Sequence, residues 1–430
     1  MTMNYDNLML KNLPKRIYNL LESIGEMGDQ LGYNTFVVGG FVRDLILGRE
    51  NLDIDIIAEG DGVDLADEFA KARDGKAKTH ERFGTAVVTL LNGLKIDFAT
   101  ARTEIYERPG ALPTVQFGSI EDDLKRRDFT INAMAIRLNE NDFGEIVDCL
   151  GGKSDLEKGI IKIIHDQSFQ DDPTRIFRAI RYEQRYGFCM DKQTEDLLKT
   201  AVENDFLNTI TKQRLRNEIM LILGEENSVK PIDRLDQLKI LRYVHPKISL
   251  TKNNIIMLSK IDGLSQFSSI PLLTDNKKFD IILLKLMAIM DGLNENEANE
   301  ASKNLSLSKK YTEAISASVA KLPSALKVIS AESIRPSEIY RVLKDLPIQT
   351  LFFGIFKASD KDTAYKIFMY FLIEVLEPFI TGGDLMELGY PEGSLYSEIL
   401  SDVFDAQIDE IVNDKQEAIE YIQKNYKQKG

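Results

Sequence analysis

Phe36-Val37-Val38-Gly39-Gly40-Phe41-Val42-Arg43-Asp44, with Leu52-Asp53-Ile54-Asp55 close behind it, is the stretch that decides the fold. The apolar run reads as a strand, the glycine pair as a turn, and Val42 to Leu47 as a helix by its spacing. That order aims backbone N–H groups and a helix N-terminus at one spot, which suits a triphosphate. Arg43, in the first turn, adds a charge-assisted contact to a phosphate oxygen. Asp53 and Asp55 alternate along the next strand, so their carboxylates project side by side from one face and repel. A divalent cation such as Mg²⁺ relieves the repulsion and supports in-line attack on a phosphate, activating a 3′-hydroxyl and neutralising leaving pyrophosphate. Taken singly, a Gly-Gly pair can be a plain turn and Asp-x-Asp a solvated strand edge; their succession is what points to a site.

Outward from this stretch, Thr85 to Leu91, Lys95 to Ala99 and Ile131 to Leu138 read as further strands, and Gly62 to Arg73 as a helix. After Gly151 the pattern turns helical, at Pro173 to Tyr186, Thr194 to Glu203 and Thr211 to Leu223. The expected fold is α+β, a small mixed-sheet head followed by an all-α remainder. Gly224 to Asn227, Asp262 to Ser269 and the Ser-, Ala- and Pro-rich Ala320 to Pro336 are candidate boundaries. Domains are expected at 1–150, 151–225, 226–325 and 326–430.

Of 430 residues, 43% are hydrophobic and 28% charged, with no apolar run of the ~18 residues a membrane span needs. An early acidic residue, Asp6, and the lack of an apolar signal core suggest a cytoplasmic protein. Two cysteines and three scattered histidines do not make a zinc site. The formal net charge of −14 argues against a protein that coats nucleic acid, so any RNA contact has to be local. Lys125-Arg126-Arg127 and the arginines from Arg175 to Arg185 provide such basic clusters.

At these motifs the chain resembles the class II tRNA nucleotidyltransferases, the CCA-adding enzymes and their poly(A) polymerase relatives, whose head is a polymerase-beta-like palm. The first motif implies that Gly39, Gly40 and Arg43 contact nucleotide and that Asp53 and Asp55 bind Mg²⁺. Asp97, in Lys95-Ile96-Asp97-Phe98, stands where a neighbouring strand offers a third catalytic carboxylate. Arg126-Arg127-Asp128-Phe129-Thr130-Ile131-Asn132-Ala133 resembles the second motif, which assigns Arg127 to the nucleotide and Asp128 and Asn132 to the ribose. Asp148-Cys149-Leu150-Gly151-Gly152 resembles the joint between head and neck.

Asp171-Asp172-Pro173-Thr174-Arg175 resembles the base-reading motif, with Asp171 where the family usually has Glu. A carboxylate at Asp172 accepts from an exocyclic amino group while the Arg175 guanidinium donates, which complements C or A and not U or G. At 100° per residue Arg175, Arg178, Arg181 and Arg185 share an arc of roughly 120°, and the resemblance assigns Arg178 and Arg181 to the triphosphate. Thr211-Lys212-Gln213-Arg214-Leu215-Arg216-Asn217-Glu218 resembles the fifth motif, in which Arg214 and Glu218 brace the base-reading helix; by spacing alone they form a local i, i+4 pair.

The resemblance implies ATP and CTP as nucleotides and the acceptor and T-stem of tRNA as partner, with no membrane and no protein partner. The activity expected is template-independent addition of CMP and AMP to the tRNA 3′ end, as CCA or as terminal A. His80 to Thr85 lacks the basic stretch of bacterial poly(A) polymerases, and Arg102 to Gly118, with Tyr106, Pro109 and Pro113, resembles the loop that CC-only relatives shorten. The dipeptide His165-Asp166 raises a remote alternative, an HD-type phosphohydrolase, which needs more ligands than two distant histidines supply.

Overall fold

The computed structural model describes residues 4–81, 84–105, 114–264 and 279–426, in two compact units, Met1–Ile222 and Leu223–Gly430. The centre of the specificity-loop expectation, 106–113, lies outside the described residues, as do 82–83 and 265–269 of the other segments named above.

The first unit runs α1 (Asp6–Asn12), α2 (Lys15–Leu31), β1 (Asn34–Val38), α3 (Gly40–Ile46), β2 (Ile54–Glu59), α4 (Gly62–Ala72), β3 (Lys76–His80), β4 (Thr85–Thr89) and β5 (Lys95–Thr100). A hairpin, β6 (Arg102–Ile105) and β7 (Thr114–Phe117), leads to α5 (Ile120–Lys125), β8 (Ala135–Arg137) and β9 (Ile146–Val147). Then come the helices α6 (Gly152–Lys158), α7 (Ser168–Asp171), α8 (Arg175–Tyr186), α9 (Lys192–Glu203) and α10 (Lys212–Leu223). Among the described residues the main sheet has seven strands in the order β3-β4-β5-β2-β1-β8-β9. β2 and β5 are parallel and the other neighbours antiparallel.

Alternation along the strands sorts the two faces. Ile54, Ile56, Ile96 and Phe98 are buried on one side, where Phe69 of α4 meets Phe98 at a ring distance of 5.7 Å. On the other side Phe36, Val38 and Ile57 form a core with Ile120 and Leu124 of α5 and with Ala133 and Ala135. Asp55 and Asp97 belong by parity to that second face, where the strands pass out of the core.

Three local expectations change. Lys76–His80 is an unforeseen strand, because its polar, lysine-bearing pattern is that of an exposed sheet edge. Ile131 to Leu138 is a strand only from Ala135; before it, Thr130–Asn132 makes a 3₁₀ turn, as the Asp128 carboxylate accepts from the Phe129 N–H and the Asn132 amide. The base-motif helix starts at Arg175, not Pro173: after the extended Asp172 (φ −136°) the first turn closes with shorter-range bonds, from the Arg175 N–H to the Asp172 carbonyl at 3.0 Å and from the Ile176 N–H to the Pro173 carbonyl at 3.2 Å.

The second unit is helical among its described residues. Ala320 to Pro336, expected as a boundary, contains the helix Leu322–Ile329, whose proline falls in the first turn, where its missing N–H costs nothing. Within the buried helix Ile281–Met290, Lys285 pairs with Asp262 at 2.6 Å and donates to the Leu223 carbonyl.

Candidate active site

The carboxylates meet where parallel β2 and β5 lie side by side. Asp55 and Asp97 are register partners, Asp53 precedes β2, and one oxygen from each of the three lies within 4.8 Å of the others. Among the described residues this is the one group of three His, Cys, Asp or Glu with that spacing. Burial pushes the Asp55 carboxyl up to about 6 against the pull of Arg127, and the charges of Asp53, Asp97 and Asp123 push the same way. Burial and Asp53 also raise Asp97, with Lys95 opposing. Three converging carboxylate oxygens, those of Asp55 and Asp97 on carboxyls that burial and neighbouring charge make reluctant to ionise, are a fitting donor set for a hard divalent cation.

A cleft of about 1060 Å³ extends from this cluster, and apart from Gly39 and Arg214 every sequence-predicted site residue lines it. Gly39 lies at the strand-to-helix turn with φ +71°, and a Cβ there would come within 2.6 Å of Arg127 Nη1. Only glycine lets that guanidinium lie against the turn. Arg43 is buried and donates to both Asp44 oxygens at 2.9 and 2.8 Å and to Asn132 Oδ1 at 2.6 Å. Its charge also faces the rings of Tyr182 and Tyr186. Each of its three nitrogens thus donates one hydrogen bond within the protein, which holds the guanidinium in place at the cleft wall.

Arg126 and Arg127 grip the fully buried carboxylate of Asp123, Arg126 on Oδ1 and Arg127 on Oδ2. Asp128 is buried too. Although burial opposes it, Arg178 and the Asn132 amide hold its carboxyl below the usual range, and Arg178 Nε donates to it at 2.7 Å.

At the other end of the cleft Asp172 Oδ1 accepts from the Thr174 N–H and hydroxyl and from Arg214 Nη2, the last at 2.6 Å. Arg175 is buried, donating to Ser168 Oγ at 2.7 Å and to the Arg126 carbonyl at 2.8 Å. The Arg126 carbonyl therefore ties the second motif to the base motif. Arg178, Arg181 and Arg185 continue along α8 into the same cleft, as their shared arc predicts. Arg214 and Glu218 reach beyond a local pair: Arg214 to Asp172, and Glu218 to Arg181 at 3.9 Å. Asp148 accepts from the Gly152 and Lys153 N–H groups and so fastens the start of α6. His165 lies 3.8 Å from Asp171, outside any metal-like group among the described residues.

The sequence reading passes over Asp123, Asp44, Asn51 and Tyr186. Asp123 was legible, since it precedes Arg126 and Arg127 by three and four residues on a helix. Asn51 was legible in part, since an Asn side chain closing on the N–H two residues on is a local turn rule, and Asp44 adjoins Arg43; the ties of Asp44 to Asn51 and to Tyr186 are what no local spacing encodes.

Residues 35–162 match the model of the "Poly A polymerase head domain", and residues 187–251 that of the "Probable RNA and SrmB- binding site of polymerase A". The chain is 38% identical to an A-adding tRNA nucleotidyltransferase of Geobacter sulfurreducens over 94% of its own length, spanning 46% of that relative. It is 30% identical to the A-adding tRNA nucleotidyltransferase of Halalkalibacterium halodurans, over 99% of this chain and 97% of the other. Among solved structures, an apo CCA-adding enzyme superposes with a TM-score of 0.86 at 34% identity, over 99% of both chains. The Thermotoga maritima CCA-adding enzyme in complex with tRNA superposes with a TM-score of 0.79 at 33% identity, over 99% of both chains. Structures of similar likeness are CCA-adding enzymes with ATP and with CTP. With its palm-like sheet, its carboxylate cluster and this full-length likeness, the chain belongs to the class II tRNA nucleotidyltransferase/poly(A) polymerase family.

Proposed function

We propose that this chain adds AMP to the 3′ end of tRNA from ATP, releasing pyrophosphate. The observation that carries the reading is one cleft with a three-carboxylate cluster at one end and the Asp172–Arg175 pair at the other. Asp53, Asp55 and Asp97 would hold divalent cation, Mg²⁺ by its preference for oxygen donors; bound there, it supplies a Lewis acid at the reacting phosphate and lowers the pKa of the attacking 3′-hydroxyl. The protein's own groups do the rest. Arg127, Arg178 and Arg181 present positive potential to the triphosphate, and Asp128 and Asn132 address the ribose. Asp172 already commits Oδ1 to Thr174 and Arg214, so its other oxygen is the one to accept an exocyclic amino group. Arg175, anchored through two nitrogens, donates from its remaining N–H groups to the same base edge. In this reading residues 1–150 carry the chemistry, 151–225 select the base, and 226–325 and 326–430 hold tRNA by shape and phosphate contacts.

Terminal A addition is favoured by the A-adding relatives of Geobacter sulfurreducens and Halalkalibacterium halodurans, which match over 94% and 99% of this chain. Full CCA addition is the second reading, favoured by the likeness to a CCA-adding enzyme solved with CTP. Incubation with Mg²⁺, labelled ATP or CTP, and tRNA lacking CCA, tRNA ending in CC, or a non-tRNA oligonucleotide separates them. Growth from a CC end alone is expected; addition of C, C and A to the truncated tRNA selects the second reading, and no incorporation on any acceptor overturns both. Asp172→Ala or Arg175→Ala is expected to relax discrimination against UTP more than it weakens tRNA binding. Unchanged discrimination would remove the base-reading assignment.

A further inference from the structure

The β2–β5 ladder opens at Ile54, paired with Ile96, so Asp53 lies one residue outside the sheet, exposed, with no strand partner for its backbone in that ladder. What fixes it is Asn51. The Asn51 side-chain oxygen accepts from the Asp53 N–H at 2.8 Å, closing a two-residue turn. The Asn51 amide nitrogen donates to Asp44 Oδ2, also at 2.8 Å. Asp44 is itself immobilised: it is buried, it accepts both arms of Arg43, and it accepts the Tyr186 hydroxyl at 3.1 Å from α8.

We propose that Asn51 is a positioning residue for the metal-binding carboxylates, setting the direction of Asp53 from an anchor shared by α3 and α8. The inference rests on the carboxylate-cluster reading above and goes beyond it by naming the group that orients the one ligand the sheet does not hold. The Asn amide is suited to the task because it accepts and donates at once, linking a backbone N–H to a carboxylate that a second carboxylate would repel. A ligand whose hydrogen-bonded support is removed samples more directions before it binds, and supports of this kind typically alter metal affinity by about 10–100-fold. The chain through Tyr186 further ties the direction of Asp53 to the helix that begins at the base-reading pair.

The test is Mn²⁺ binding to the full chain without nucleotide or tRNA, followed by electron paramagnetic resonance of the free ion, with thermal unfolding of each variant alongside. Asn51→Ala is expected to weaken Mn²⁺ binding about tenfold with little change in Tm. Asn51→Ser, whose hydroxyl closes the same turn more weakly, is expected to recover part of it. With saturating metal, the KM for ATP is expected to stay near wild type. Wild-type Mn²⁺ affinity in Asn51→Ala overturns the proposal. So does a weakened affinity that tracks a large fall in Tm and is not recovered by serine. Asp53→Ala is the control: if it keeps wild-type Mn²⁺ binding, the carboxylate reading itself fails, whereas loss in Asp53→Ala with none in Asn51→Ala removes only the role of Asn51.

Discussion

At the scale of single residues, Asp55 carries the cost of the site. Its carboxyl is raised from 3.8 to about 6 in the folded chain, so the fold favours its protonated form. The stability this contributes is full below about pH 4 and is lost as pH rises through about 6. Metal-free protein is therefore expected to unfold at lower temperature at pH 7.5 than at pH 5, by more than its Asp55→Asn variant does. That variant is expected to be stabilised on the order of 1 kcal/mol at the higher pH and to be inactive in transfer. Thermal unfolding in EDTA at the two pH values, beside a transfer assay, checks this; an Asp55→Asn variant less stable than wild type at pH 7.5 contradicts it. The direction of Asp55 was legible because strand parity is a local rule, whereas Asp53, expected on the same strand, precedes β2 and is held by the turn that Asn51 closes. That Asp97 completes the cluster depends on the pairing register of β5, and that Arg43 is engaged through all three nitrogens depends on neighbours as distant as Asn132.

Among elements, the relation of α8 to its surroundings decides what the arginine face does. Helical periodicity foresees the shared arc, and the cleft contains it. It does not foresee that Asp128, fifty positions before Arg178, takes that guanidinium, or that α10 reaches Asp172 through Arg214. If Arg214 holds the base-reading carboxylate in place, Arg214→Ala is expected to reduce the ratio of kcat/KM for ATP over UTP, by less than Asp172→Ala does, with tRNA affinity near wild type. Steady-state kinetics with both nucleotides and a filter-binding assay distinguish this from a general loss of the fold; an unchanged ratio would leave Arg214 a merely local partner. The extended conformation of Asp172 was foreseeable from Pro173.

For the whole molecule, a net charge of −14 is unfavourable for the tRNA contact proposed above, so that contact has to be local. Seven arginines, four of them along α8, line the cleft beside eight carboxylates, so any attraction for phosphate there is local to the arginine face and not a surplus of positive charge. tRNA affinity is accordingly expected to fall steeply with salt. The slope of log K against log[salt] should be about −2 or steeper, since each neutralised phosphate contributes roughly −0.7 to −0.9. Titrations between low and physiological salt measure it, and a slope near zero would exclude phosphate contacts as the main attraction. Among the described residues no helix is long and apolar enough to cross a membrane, which agrees with the composition.

The sequence alone determined the order strand, glycine turn, helix, acidic strand, the helical character after Gly151 and the residue types at both ends of the cleft. These follow from short-range rules of periodicity, parity and turn chemistry. Tertiary structure decided which oxygens converge and which arginines are already engaged, and it tied Asp53, outside its strand, to a tyrosine on α8 through Asn51 and Asp44. Register and packing bring together residues far apart in the chain, and no spacing rule encodes those distances.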